Sequence, residues 1–295
     1  MDRLIDSVIT ALITPFTSDY QIYKDGLRDL LDFQLRNGVK AFFICGTYGL
    51  GPVMDVSERK KVAELVAEYA SGKAKVIVHV GSTNVDEALD LAKHAKDLDV
   101  YAIASVPPYY YAYDDEAVVN YYSELVSKVD IPVFAYNNPA RTGIKISGEL
   151  LKRLADAGIA GVKDSSFDLI RFYEDLTLID RENFIFIIGT ESLMFPAMIA
   201  GAETCVSGLS NAFPELVVKL YDLIINGKYS EASKMQLSII KVRKVLHSVP
   251  VISAVYDVLR LRGIDVGVPK KPHRRLNNKE IELLRHELIK LGLLR

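Results

Sequence analysis

A chain of 295 residues, 49% hydrophobic and 25% charged, is long enough to bury a large core and fits one barrel of about 250 residues plus an appendage. Its net charge of −2 at pH 7 argues against nucleic acid or an anionic membrane as partner. The two cysteines, Cys45 and Cys205, cannot build a disulfide framework and lack metal-ligand spacing, so they read as small buried residues of a reducing, cytoplasmic protein.

The chain opens on Met1 to Asp6 without the apolar core of a signal peptide, and nowhere approaches the ~18 apolar residues of a membrane span. Short apolar runs then alternate with amphipathic segments. The runs at 8–13, 41–44, 75–80, 101–105, 132–136, 159–162, 184–188 and 204–207 predict strands, most being rich in β-branched or aromatic residues. Between them, Leu27, Leu30, Leu31 and Leu35 share one helical face. So do Ala88, Leu91, Ala92 and Ala95, and then Val118, Tyr122, Leu125, Val126 and Val129. Thr83-x-x-Asp86 reads as a capping box for the second of these helices. Strand–helix units in unbroken succession predict a parallel sheet with right-handed crossovers, and eight of them close a (β/α)8 TIM barrel. A doubly wound open sheet would show a Gly-rich turn after its first strand, and Thr14-Pro15-Phe16-Thr17 is not one. Residues 1–227 are thus read as the barrel. Residues 228–295 are read as a C-terminal helical extension, clearest at Ile281, Leu284, Leu288 and Leu291. Within it, Lys270-Lys271-Pro272-His273-Arg274-Arg275 reads as a solvated connector.

In such a barrel the chemistry sits on the loops at the C-terminal strand ends. Lys163 stands where an apolar strand exits there. Lysine is rarely buried without a reason, although a snorkelling lysine paired with Asp164 or another carboxylate is the bland alternative. A free amine is neutral only about once in 2,500 at pH 7, a handicap of roughly 4–5 kcal/mol. Desolvation lowers such a pKa by up to about 3–5 units. A neutral amine attacks a ketone, and the protonated imine then stabilises a carbanion at the neighbouring carbon, as a metal ion otherwise would. His79, His94, His247, His273 and His286 lack ligand spacing, so no metal or other cofactor is expected. Tyr136 ends the fifth strand, beside the sixth, and is the candidate acid/base, with a stacked aromatic as the alternative. Thr47 is placed to relay its proton, and the amides of the Thr47 loop to bind a carboxylate. Tyr109-Tyr110-Tyr111 reads as an interface patch, as a tyrosine reaching a neighbouring subunit's site, or as both.

Gly46-Thr47-x-Gly49, Pro108-Tyr109-Tyr110, Tyr136-Asn137-x-Pro139-x-x-Thr142-Gly143 and Gly161-Val162-Lys163-Asp164, with Thr14-Pro15-Phe16 ahead of them, resemble the dihydrodipicolinate synthase / N-acetylneuraminate lyase family over residues 8–267. The resemblance implies that pyruvate is a substrate, that Lys163 forms the Schiff base and that Tyr136 is the acid/base. It also implies a proton relay through Thr47 and through Tyr110, the latter donated across a dimer interface of a homotetramer. Tyr48, Gly49, Arg141, Gly189 and Ser207 are the expected substrate-binding residues. Two features point to different subfamilies. Leu50-Gly51-Pro52 and the run from Gly161 to Ser166 are similar to archaeal 2-keto-3-deoxygluconate aldolases, where synthases commonly carry Glu in place of Leu50. Arg141 instead matches the arginine with which synthases grip the carboxylate of aspartate semialdehyde. Tyr48 departs from both, since Thr is usual there. The expected function is a class I pyruvate-dependent aldolase that cleaves 2-keto-3-deoxygluconate-type sugar acids to pyruvate and an aldehyde. Condensation of pyruvate with aspartate semialdehyde is the alternative, and a non-catalytic sensor on the same fold is the third reading.

Overall fold

Alternation along the strands sorts the apolar residues into two cores. Strands β1 (Ile9–Ala11), β2 (Ala41–Ile44), β3 (Lys75–His79), β4 (Ala102–Ser105), β5 (Val133–Asn137), β6 (Gly161–Asp164), β7 (Ile185–Ile188) and β8 (Thr204–Ser207) form a closed barrel in chain order. Neighbouring strands are parallel, and β8 pairs back onto β1. Ile9, Phe43, Ile77, Phe134, Ile187 and Val206 fill the lumen. Their strand neighbours Phe42, Val76, Val133, Val162, Phe186 and Cys205 face outward into the larger core under the helices. This is the period-2 pattern of strands buried on both faces. The structure, a computed structural model, describes residues 5–180 and 182–294. The reading of the N-terminus rests partly on residues 1–4, outside the described residues.

The helices between the strands are α1 (Lys24–Arg36), α2 (Val56–Ala70), α3 (Val85–Asp97), α4 (Asp115–Lys128), α5 (Pro139–Thr142), α6 (Gly148–Asp156), α7 (Leu169–Leu178) and α8 (Met194–Ala200). After β8 come α9 (Pro214–Ile225), α10 (Tyr229–Leu246), α11 (Val251–Leu261) and α12 (Asn278–Lys290). Among the described residues no helix is long and apolar enough to cross a membrane. The extension is tied to the barrel mouth: Gln236 on α10 donates to the carbonyl of Glu191 at 2.8 Å, and Tyr256 on α11 donates to that of Thr14 at 2.6 Å.

Three expectations need correction. The sixth strand runs two residues further than its apolar run, because the β5 and β7 ladders continue through the polar pair Lys163 and Asp164. Helix α3 is capped by Asn84, whose side chain accepts from the Asp86 amide at 2.9 Å, rather than by Thr83. The basic connector is not simply solvated. Lys270 is half-buried against Glu58, and His273 lines a cavity beside Arg141.

Behind β6 lies a buried ionic group. Asp164 points outward, where Arg171 of α7 meets it at 2.7 Å and Asn137 donates to it at 2.8 Å. Ser166 donates to it through its amide and its hydroxyl. The same guanidinium lies 2.7 Å from Asp175, which is fully buried. Two carboxylates therefore share one cation, and Asp175 is the less satisfied. Burial pushes its carboxyl up to about 7, against the pull of Arg171 and helped by the charge of Asp164. An acid raised in the folded state holds a proton that the unfolded chain has released. Its contribution to stability is thus present below the ordinary carboxylate range and is lost as pH rises from about 4 to about 7. Asp175→Asn should match the unmodified chain near the lower limit and melt at a higher temperature than it above the upper one. Thermal unfolding across this window checks it, and a variant less stable throughout would show that the ionised pair is net favourable.

Candidate active site

The register places Tyr136 of β5 directly opposite Lys163 of β6, with both side chains in the lumen. Gly161, one inward position below, leaves room there. A Cβ on it would lie 2.4 Å from the carbonyl oxygen of Ile185 and 2.7 Å from the Phe134 ring. Lys163 is 4% exposed. Its Nζ lies 3.1 Å from the centroid of the Tyr136 ring and 4.4 Å from that of Phe43. Among the described residues no carboxylate reaches it, and Asp164 is engaged on the other side of the sheet. The snorkelling ion pair is therefore not what the barrel contains. Burial lowers the pKa of the amine from its usual value, against the opposing pull of Tyr136. Burial pushes the Tyr136 phenol up, but the Lys163 charge and hydrogen bonding with Lys163, Thr47 and Ser165 outweigh it, and the net shift is downward. The two groups form one coupled acid–base pair.

The phenol oxygen of Tyr136 lies 3.2 Å from Thr47 Oγ1 and accepts a hydrogen bond from Asn138 Nδ2 at 3.0 Å. Thr47 is held by its loop. Cys45 leaves β2 in the left-handed region at φ 57°, and its carbonyl oxygen accepts from His79 Nδ1 at 3.1 Å. The Val106 amide donates to the other ring nitrogen at 3.3 Å. His79 is therefore the neutral tautomer protonated on Nδ1. Burial and the charges of Arg59 and Lys163 hold its pKa well below the usual range. Gly51 closes the turn where a Cβ would sit 1.8 Å from the same Cys45 oxygen. The His79 and Phe43 rings meet Tyr136 edge-on at 5.7 and 5.5 Å.

A cavity of about 370 Å³ opens above this pair, lined by Thr47, Lys163, Arg141, Glu191 and Arg243 among others. A second, of about 290 Å³, shares Thr47, Tyr136, Asn138 and Arg141 with it and adds His79, Tyr109 and His273. Of the residues singled out in the sequence, Tyr48, Gly49, Arg141 and Gly189 also line the first cavity. Ser207 does not. Alternation turns Val206 inward and Ser207 outward, where its hydroxyl donates to Glu191 Oε2 at 2.9 Å. Tyr110 lines neither cavity of this single chain; it is 84% exposed and stacks edge-on against Tyr111. Tyr48 crosses to the β8 loop and packs on Gly208, where a Cβ would lie 2.2 Å from its Cζ. Burial raises its phenol pKa, and the Glu191 charge adds to this, so the group stays neutral.

Asn138, Glu191 and Arg243 also line the first cavity and are not among the residues expected from the sequence. Glu191 is 5% exposed and lies 3.4 Å from Arg243 Nε. Its place at a strand end was a usable signal. Arg243 carries none, because it comes from α10, which no strand pattern ties to the barrel. Among the described residues no group of three or more His, Cys, Asp or Glu side chains is disposed to hold a metal ion.

The model of the dihydrodipicolinate synthetase family matches residues 4–290. The chain belongs to this family. The 4-hydroxy-tetrahydrodipicolinate synthase of Methanopyrus kandleri is 34% identical over 98% of this chain and 97% of its own. The 2-dehydro-3-deoxy-phosphogluconate/2-dehydro-3-deoxy-6-phosphogalactonate aldolase of Sulfurisphaera tokodaii is 30% identical over 95% of each. The crystal structure of dihydrodipicolinate synthase from Aquifex aeolicus superposes with a TM-score of 0.92 at 28% identity, covering 97% of this chain and 98% of that one. Members of the dihydrodipicolinate synthetase family make or break carbon–carbon bonds, and this chain is a class I pyruvate aldolase or lyase.

Within the family frame the Tyr48–Gly208 contact is open to a direct check. Gly208→Ala should overpack the site and cost about 1–3 kcal/mol of stability. Tyr48→Thr in the same chain should recover most of that loss. Strictly additive effects in the double-mutant cycle would mean that ring and glycine do not touch.

Proposed function

We propose that this chain is a lysine-dependent aldolase that cleaves 2-keto-3-deoxygluconate-type sugar acids to pyruvate and an aldehyde. The observation that carries the reading is a buried Lys163 amine with a phenol, and no carboxylate, beside it. Neutral Nζ attacks the C2 carbonyl, and Tyr136 protonates the departing hydroxyl, so that water leaves and an iminium forms. Tyr136 then accepts the proton of the C4 hydroxyl. The C3–C4 bond breaks, its electron pair moves into the iminium to give an enamine, and the aldehyde departs. Protonation at C3 and hydrolysis release pyruvate and return the free amine. Thr47, 3.2 Å from the phenol, passes protons between Tyr136 and the cavity. In the expected homotetramer, Tyr110 of the partner subunit extends that relay. The amides at Tyr48 and Gly49 hold the substrate carboxylate.

The far wall supports a hydroxylated tail. Glu191 is an acceptor for hydroxyl protons, Tyr48 is a neutral donor, and Arg243 is already paired with Glu191. One observation favours the alternative synthase reading. Arg141 lines the cavity and has no ion-pair partner among the described residues, as a grip for a second carboxylate requires.

Borohydride with pyruvate should add mass to the peptide containing Lys163 and abolish activity. Labelling at another lysine would rule out its role. Arg141→Ala separates the two enzyme readings. The sugar-acid reading expects a modest loss with glyceraldehyde and a larger one with its 3-phosphate. Equal collapse with both aldehydes, beside efficient condensation of aspartate semialdehyde by the unmodified chain, would reverse the ranking.

A further inference from the structure

Asn138 stands between the end of β5 and the start of α5. Its backbone is anchored: the carbonyl accepts from the amides of Arg141 and Thr142 at 3.0 and 3.1 Å, and from the Thr142 hydroxyl at 3.1 Å. Pro139 follows and keeps it out of the helical region. The side chain is 7% exposed and lines both cavities. Its Nδ2 donates to the phenol oxygen of Tyr136 at 3.0 Å.

An amide nitrogen only donates, whereas a phenol oxygen carries one proton and accepts others. With the Asn138 proton on that oxygen, the proton of Tyr136 must point elsewhere. Lys163 occupies the ring face at 3.1 Å. The hydroxyl within hydrogen-bond distance of that oxygen on the cavity side is Thr47 Oγ1, 3.2 Å away. We infer that Asn138 is a positioning residue that holds the Tyr136 oxygen as an acceptor, turning the phenol's proton toward Thr47 and the substrate. The inference rests on Tyr136 being the acid/base of the reaction proposed above. A donor aimed at the oxygen also favours the phenolate over the phenol, in the same direction as Lys163, Thr47 and Ser165. Asn138 thus acts on both the direction and the readiness of the proton transfer.

The test follows Tyr136 itself. Phenolate formation is read by ultraviolet difference titration of the full chain against Tyr136→Phe. The same pair is then compared in an Asn138→Leu background, which keeps the volume and removes the donor. The Tyr136 midpoint should move up by about one pH unit, and the limb of the pH–rate profile that tracks it should move with it. Asn138→Asp replaces the donor by an acceptor of like charge in nearly the same shape. It should move the midpoint up further, and it serves where the leucine variant does not fold. A folded variant whose midpoint is unchanged or lower would reduce Asn138 to packing and overturn the inference. The underlying reading fails separately: Tyr136→Phe should lower turnover by about 10²–10⁴-fold, and near-normal turnover would remove the acid/base role whatever the midpoints do.

Discussion

Everything at the barrel mouth depends on one arrangement: the Lys163 amine is buried opposite a phenol, while the neighbouring carboxylate is turned away. Strand alternation produces it. Lys163 faces the lumen, so Asp164 must face the helices. There Arg171, Asn137 and Ser166 hold it. Were Asp164 free to swing to the lumen, it would pair with the ammonium and hold it charged, since desolvating an unpaired ion costs several kcal/mol. The outward ionic group thus keeps the inward amine unpaired. Part of that cost is visible in Asp175, the second carboxylate on the same guanidinium, which is pushed toward neutrality.

Tyr136, the proposed acid/base, is held from several elements at once. Tyr136 has Lys163 on its face and His79 and Phe43 at its edges, with Thr47 and Asn138 at its oxygen. His79 serves a second purpose: by donating to the Cys45 carbonyl it braces a non-glycine residue in the left-handed region. That residue sets the direction of the loop carrying Thr47. Strain of this kind persists only where the surroundings over-determine it. The buried imidazole, the Val106 amide and the room left by Gly51 supply that constraint.

The barrel was legible because each strand is buried on both faces and reads as a short apolar run between amphipathic helices. That Lys163, Tyr136 and Thr47 come together was legible because they sit at or just past strand ends on one face of the barrel. What was hidden follows from the same logic. The sixth strand outruns its apolar run because a run defined by apolarity stops at its first charge, although backbone pairing is indifferent to the side chain. Ser207 was misplaced because a strand-end position does not reveal which way its side chain turns. Asn138 does not stand out in the sequence, because its contact with Tyr136 depends on the turn into α5. Arg243 lies outside the repeating units and reaches the site only through the docking of α10.

That docking shapes what the cavity can accept. The lumen contributes the amine and the phenol, which suit any keto acid. In the proposed reaction, discrimination falls to the rim, where Tyr48, Glu191 and Arg243 line the cavity. Tyr48 occupies the space a side chain at residue 208 would take, so the β2 loop rather than the β8 loop forms that wall. Gln236 of α10 donates to the Glu191 carbonyl and accepts from the Phe195 amide, fixing Glu191 and Arg243 relative to each other through one helix. Arg243 is thus set by α10, whereas the Glu191 carboxylate is also held from β8 by Ser207. In the proposed reaction, α10 therefore bears on the rim through Arg243 and the backbone of Glu191, while the amine and the phenol are set by the β5–β6 register.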